Sequence, residues 1–489
     1  MKGVMKDSVV RFCERGALWV SLALLAFTVV LTLCFGAYPI DPDYFAYVGR
    51  CLLSGRRLYA DIWDCKGPVL YFVSAFGVWF HPVLGQPVLF GVFLAADLVL
   101  FHGLLRRMGG ARAGLCTLLF AVLALGAGQF LVIGRQEMLV CLLVLLGLWS
   151  QGRFAFWGDV LTGACAGLVF FIKPNLISFL SVPLVQGALG ARRTGEWRFL
   201  VRRCVCLFLG FFAVLLAVTA CFLPDAVGDL WWGSLVWNLT QRAQNGSGWL
   251  GYWSRELSSW RFWHKEGWII PLFGALFVIG CVRAVRLRGR EWIGWGVWAF
   301  LETTAAFGFP QFCRHYVIVA CLPVAALAVG GVSEPLSRKD GRFVLLVLAV
   351  ALAMFGASGN LLCRHVSSAS ARGREIEEMR GMIGTGQGGV TVYGGGPTAA
   401  VMNKLGLLSG QRFLGMTYWW RSSSDDFREA IRRDFLTSLN ADRDWMLSAK
   451  PIERIVSALG DRRIAAELSE YRLVCRAAGN RVYLYRRSR

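Results

Sequence analysis

Long apolar runs alternate with short polar links along most of this chain, and the alternation stops near residue 367. The first run, Ala17 to Tyr38, is long enough to cross a hydrocarbon core of roughly 30 Å. Others lie near 88–105, 113–133, 138–152, 155–172, 175–190, 204–223, 267–282, 292–308, 316–332 and 342–361. One more, 68–84, is interrupted by His81-Pro82 and Gly85. The pattern predicts a polytopic α-helical membrane protein.

Positive charge orients the spans. Arg106, Arg107 and Arg112 form one cluster, Arg153 marks a second, Arg192 to Arg203 a third, Arg283 to Arg290 a fourth and Arg338 to Arg342 a fifth. All five fall on the cytoplasmic side if 68–84 is an interfacial or re-entrant helix rather than a span, which gives about 11 spans. Lys2, Lys6, Arg11 and Arg15 precede the first run, which is too long for a signal peptide and lacks a small-residue cleavage site. We therefore expect a retained anchor with its N-terminus in the cytoplasm.

The same parity puts loop 39–87, the Arg135-Gln136-Glu137 corner, Lys173-Pro174, loop 224–266, the corner ending at Tyr316 and everything after residue 361 outside. Most of the unusual polar residues thus share one face. In loop 224–266, Trp231, Trp232, Trp237, Trp249, Trp253, Trp260 and Trp263 suit the headgroup level. The expected division is a multispanning domain over 1–366 and a small extracytoplasmic α/β domain over 367–489. In the latter, VTVYGGGPTAAVMNKLGLL reads as strand, glycine turn and helix, PIERIVSAL as helix or strand, and YRLVCRA with NRVYLYRR as a hairpin.

Composition agrees with the membrane reading. The 489 residues are 56% hydrophobic, with 20 Trp, and mean hydropathy is +0.52. A net charge of +21 would suggest nucleic acid in a soluble protein. Here the cations sit in links between apolar runs, so no nucleic-acid partner is expected. The 15 Cys include no CxxC pair and fall mainly in apolar runs, as small buried hydrophobes do. Cys51 and Cys65 share one polar loop and form a candidate disulfide if it faces an oxidising compartment.

Chemistry-bearing residues concentrate in residues 41–68, DPDYFAYVGRCLLSGRRLYADIWDCKGP. Asp41 and Asp43 open a helix-like segment, where acids complement the helix dipole or where one serves as general base. Lys66 is either a surface partner of Asp61 or Asp64 or a compact charge for a phosphate. Lys173, beside the helix-breaking Pro174, either snorkels to headgroups or binds an anion. Arg314 and His315 form another outer basic corner. Glu137 either pairs with Arg135 or orients an acceptor. No metal-ligand spacing, serine elbow or Walker motif occurs, so no cofactor is evident and a divalent cation is not indicated.

Asp41 with Tyr44, Tyr47 and Gly49, followed by Gly55, Tyr59, Asp61 and Lys66-Gly67-Pro68, resembles the first external loop of the GT-C glycosyltransferases. The likeness is particularly to bacterial relatives of protein O-mannosyltransferases and of the lipid A aminoarabinose transferase. Glu137 is similar in placement to their second-loop acid, Lys173-Pro174 to a donor-phosphate lysine, and Arg314-His315-Tyr316 to a basic-aromatic corner before a late span. Asp41-Pro42-Asp43 replaces the usual acidic start, which leaves open which carboxylate is the base, and Lys66-Gly67-Pro68 replaces Lys-Pro-Pro.

The resemblance implies an inverting transfer of a sugar from a polyprenyl-phosphate donor to a hydroxyl of an envelope glycolipid, glycan or protein. Asp41 or Asp43 acts as base; Lys66, Lys173 and Arg314 hold the phosphate; Glu137, Asp61, Tyr59, His315 and Tyr316 orient the acceptor. The rival readings are a lipid-linked substrate transporter or flippase, which needs ionisable groups near mid-span, and a glycan ligase or polymerase of another fold.

Overall fold

The computed structural model describes residues 2–35, 40–108, 112–127, 133, 135–151, 154–237, 254, 257–259, 274–278, 280, 282, 291–307, 314–330, 369–383, 390–394, 396–413, 425–441, 443–477 and 482–488. The helices in chain order are α1 Lys2–Phe35, α2 Ile40–Leu53, α3 Pro68–Phe80, α4 Gly85–Arg107, α5 Ala113–Ala127, α6 Gln136–Ser150, α7 Ala155–Phe170, α8 Ser181–Thr194, α9 Trp197–Ala220 and α10 Val227–Trp231. After them come α11 Glu291–Phe307, a short helical segment Cys321–Ala325, α12 Ala369–Ile383, α13 Gly396–Leu405, α14 Asp425–Asn440, α15 Ile452–Leu459 and α16 Arg462–Ser469. The strands are β1 Val390–Tyr393, β2 Trp445–Ser448, β3 Tyr471–Ala477 and β4 Val482–Arg487.

Four helical segments among the described residues are long and apolar enough to cross a membrane: Gly16–Cys34, Gly85–Arg107, Pro174–Thr194 and Trp197–Ala220. Shorter apolar helices occupy Pro68–Phe80, Ala113–Leu125, Gln136–Ser150 and Phe156–Phe170. The expected span 342–361 lies outside the described residues, as does most of 267–282. So do Trp249, Trp253, Trp260 and Trp263. Helix α3 has 13 residues, roughly 20 Å at 1.5 Å per residue, which is short of a full crossing. It stops at His81, whose extended backbone (φ −159°, ψ 125°) breaks the run ahead of Pro82.

The chain divides into two compact units. The first holds residues 1–31, 90–221 and 247–362. Its helices α7 and α9 cross at glycines on both partners: a Cβ at Gly163 would lie 2.0 Å from the Leu207 carbonyl oxygen, and one at Gly210 would lie 1.9 Å from that of Val160. Small residues that admit backbone-to-backbone approach are the usual device for packing helices where the surroundings are as apolar as the side chains. An Arg203–Asp159 ion pair at 3.2 Å adds a polar tie between the same two helices.

The second unit holds residues 32–89, 222–246 and 363–489, so the first polar loop belongs with the carboxy-terminal residues. Its sheet has the order β1-β2-β4-β3. Strands β1 and β2 are parallel, while β4 is antiparallel to both β2 and β3. The strand, glycine turn and helix read in VTVYGGGPTAAVMNKLGLL appear as β1, Gly394 and α13. PIERIVSAL is the helix α15, with a left-handed Gly460 ending it. Trp63 is fully buried and meets Trp232, Trp237, Phe413 and Phe427 edge-on or tilted, with ring centroids 4.9–5.9 Å apart. One indole thus joins the first loop, the α10 region and the carboxy-terminal part into a single core.

Candidate functional site

In the second unit, helix α2 presents two faces, and each acid at its start lies on a different one. Positions 41, 45 and 49 recur at the spacing of one helical face; positions 43, 47 and 50 form another, half a turn away. On the first face, Lys66 stands over the Phe45 ring, Nζ 5.4 Å from its centroid. Gly49 lies against α3, where a Cβ would come within 2.8 Å of the Ala75 nitrogen. Asp41 lies near enough to act electrostatically on Asp64, on which Lys66 acts with the opposite sign.

Asp64 is fully buried. Its Oδ1 accepts from the Cys65 N–H at 2.7 Å, and its Oδ2 has no hydrogen-bond partner among the described residues. Burial pushes its pKa up to about 6; Lys66 pulls against that rise and Asp41 adds to it. Asp41, Asp64 and Lys66 therefore form one electrostatic cluster.

Asp43 faces the carboxy-terminal part. Its backbone carbonyl accepts from Asn403 Nδ2 at 2.7 Å. Although part of the residue reaches solvent, its carboxyl is enclosed, and burial pushes the pKa up to about 7 with Lys404 offsetting only part of the rise.

Tyr59 and Asp61 shape the loop that carries Lys66. Tyr59 is fully buried in a left-handed conformation, φ 67°. Its N–H donates to the Ile62 carbonyl at 2.7 Å, and its hydroxyl donates to the Lys66 carbonyl at 2.6 Å. That hydroxyl sets where the backbone of Lys66 sits. Asp61 accepts from the Arg57 N–H at 2.8 Å and from its guanidinium at 3.3 Å, and Arg57 holds its carboxyl below the usual range. Cys51 and Cys65 are not joined in a disulfide. Cys51 instead lies buried beside Arg56, whose guanidinium reaches its Sγ at 3.8 Å.

The first unit holds a second cluster. Glu137, in the first turn of α6, is fully buried, and its Oε1 accepts from Lys173 Nζ at 3.1 Å. Lys173 follows α7 in extended backbone, with Pro174 opening the 3-10 turn Pro174–Leu180. Its Nζ also stands 3.6 Å from the centroid of the Tyr316 ring, a cation-π contact in a largely desolvated place. His315 meets the Tyr316 ring edge-on, with centroids 4.7 Å apart. Arg135 lies within electrostatic reach of Glu137. Arg314 begins the turn Arg314–Val317, and its side chain lies outside the described residues.

Two acids absent from the sequence expectations are prominent here. Asp97, midway along α4, is fully buried, with neither carboxyl oxygen hydrogen-bonded among the described residues. Glu302, midway along α11, is fully buried and accepts from the Ser178 hydroxyl. Cys141 lies within electrostatic reach of Asp97, Glu137 and Glu302, and Lys173 within reach of Glu302. Ionisable groups therefore occur inside apolar helices, as the rival transporter reading requires. A lone acid inside an apolar run was the available signal.

Long apolar helices together with a small α/β part form a fold that has counterparts among solved structures. Among solved structures the chain is similar to ArnT from Cupriavidus metallidurans bound to undecaprenyl phosphate, at 16% identity and a TM-score of 0.59, covering 96% of this chain and 97% of that one. The apo state of the same protein gives a TM-score of 0.58 at the same identity and coverage. The resemblance to the lipid A aminoarabinose transferase read from residues 41–68 is thus borne out in the fold. No protein-family model and no curated protein matches the chain.

Proposed function

We propose that this protein transfers a sugar from a polyprenyl-phosphate donor to a hydroxyl of an envelope glycolipid, glycan or protein, on the extracytoplasmic face of a bacterial inner membrane. The observation that carries the reading is the Asp41, Asp64 and Lys66 cluster in a chain whose fold matches ArnT along 96% of its length.

In this mechanism the acceptor hydroxyl gives its proton to the Asp41 carboxylate while its oxygen bonds to the anomeric carbon from the face opposite the phosphate. The bond from that carbon to the phosphate oxygen breaks, its electron pair stays on the oxygen, and the configuration inverts. Lys66 meets the charge that develops on the departing polyprenyl phosphate. Lys173, steadied by Glu137 and Tyr316 within the first unit, and Arg314 are the further cations that the family resemblance assigns to phosphate. Preorganised donors of this kind contribute about 3–4 kcal/mol each in a water-poor site.

Asp41 suits the base better than Asp43. It shares a face of α2 with Phe45, over which Lys66 stands, whereas Asp43 is turned toward Asn403 and Lys404. Asp61, tied to Arg57, and Tyr59, tied to the Lys66 carbonyl, act by shaping the loop.

Mass analysis of envelope glycolipids and glycans from cells with and without the chain tests the reading. A sugar increment lost with the chain and restored by it is expected; identical profiles contradict transfer. Asp97 and Glu302, buried in mid-helix, favour a second reading as a transporter of lipid-linked substrate. Movement of a polyprenyl-phosphate sugar across vesicles without product formation would support that alternative.

A further inference from the structure

Helix α2 is gripped along one face by the carboxy-terminal part of its own unit. Asp43, Tyr47 and Arg50 follow one another at i, i+4 and i+7, a single helical stripe, and each is bonded to residues 402–409. The Asp43 carbonyl accepts from Asn403 Nδ2 at 2.7 Å. The Tyr47 hydroxyl accepts from the Ser409 N–H at 2.8 Å. Arg50 Nη1 donates to Asn403 Oδ1 at 3.3 Å and to the Met402 carbonyl at 3.2 Å.

The reason for the Arg50 contact lies in α13. The Met402 carbonyl in its last turn already accepts from the Leu407 N–H at 3.0 Å, and the guanidinium adds a second bond there and complements the helix dipole. Asn403 is the hinge of the arrangement: one nearly buried amide holds the first turn of α2 through its nitrogen and the last turn through its oxygen.

We propose that Asn403 is a positioning residue, which fixes the roll of α2 about its axis and thereby the direction in which Asp41 projects. The carboxy-terminal α/β part is then a component of the catalytic apparatus, acting through α2. Rotation of α2 carries the 41, 45 and 49 face with it, and a displacement near 1 Å at a reacting group lowers rate by roughly a hundredfold. The inference rests on the proposed transfer reaction.

Asn403→Asp separates the two roles of the amide. The variant still accepts from Arg50, and so keeps α13 docked, but has no donor for the Asp43 carbonyl. Full-length protein carrying Asn403→Asp or Asn403→Ala is compared with the unaltered chain for melting temperature, for stabilisation by added undecaprenyl phosphate, and for envelope product per folded molecule. We expect product per folded molecule to fall ten- to a hundredfold in both variants, with the undecaprenyl-phosphate stabilisation retained and the melting temperature of Asn403→Asp close to that of the unaltered chain. Unchanged product per folded molecule in Asn403→Asp overturns the positioning role, even where Asn403→Ala is too unstable to recover. Asp41→Asn in the same assay separates the two claims: if it keeps full product, the transfer reading itself fails. If it is silent while the Asn403 variants work normally, only the positioning role fails.

Discussion

Glu137 and Lys173 form a buried ion pair, 3.1 Å from Oε1 to Nζ, with the Glu137 side chain wholly enclosed and that of Lys173 13% exposed. Removing one member of such a pair leaves an uncompensated charge in a poorly solvating place, at a cost of about 3–5 kcal/mol. Replacing both by apolar residues is often neutral. Glu137→Gln alone should therefore lower the melting temperature in detergent markedly. Glu137→Leu with Lys173→Met should recover most of the loss while remaining defective in product formation. Equal melting temperatures for the single variant and the unaltered chain would show that the pair carries no stability.

Asp64 gives a pH signature. Its folded pKa of about 6 lies above an unfolded value near 3.8, so the folded state keeps its proton to higher pH. The associated stability is complete below about pH 4 and lost as pH rises through about 6. A rise of that size corresponds to about 3 kcal/mol. Asp64→Asn, which mimics the neutral acid, should match the unaltered chain near pH 4 and melt higher by pH 7. Melting curves across that range check it, and a difference that does not vary with pH would remove Asp64 from the account.

Gly49 marks where α2 meets α3. A methyl group there would lie 2.8 Å from the Ala75 nitrogen and 2.9 Å from the Ser74 carbonyl carbon, both backbone atoms that move only with their helix. Gly49→Ala should destabilise the protein by about 1–3 kcal/mol and reduce product per folded molecule, since α2 also carries Asp41. Denaturation of the purified variant with a parallel product assay provides the check; normal values of both would mean that the helices separate at no cost.

Much of this was legible in the chain. The apolar runs gave helices because their length and composition leave few alternatives, and the Asp41 to Lys66 segment announced itself by polarity and by its family likeness. Glu137 with Lys173 was readable only as two separate corners, because residues 36 apart in sequence carry no signal of contact. Asp97 and Glu302 escaped notice since one acid hardly alters the mean hydropathy of a long run. The grip of residues 402–409 on α2 was beyond reach altogether: it depends on backbone carbonyls of Asp43, Met402 and Asn403, whose bonds leave no trace in residue identity. The two roles of α2 were half visible, since the periodicity separates positions 41 and 43 but does not say what each face meets.

The base assignment is tested most directly by comparing Asp41→Asn and Asp43→Asn in full-length protein, with product formation and undecaprenyl-phosphate binding measured on the same preparations. A general base is worth roughly a hundred- to ten-thousandfold in rate. On the proposed reading, Asp41→Asn should equal the unaltered chain in undecaprenyl-phosphate binding and lose product formation by that factor, while Asp43→Asn retains most of it. Normal product formation by Asp41→Asn would contradict the account.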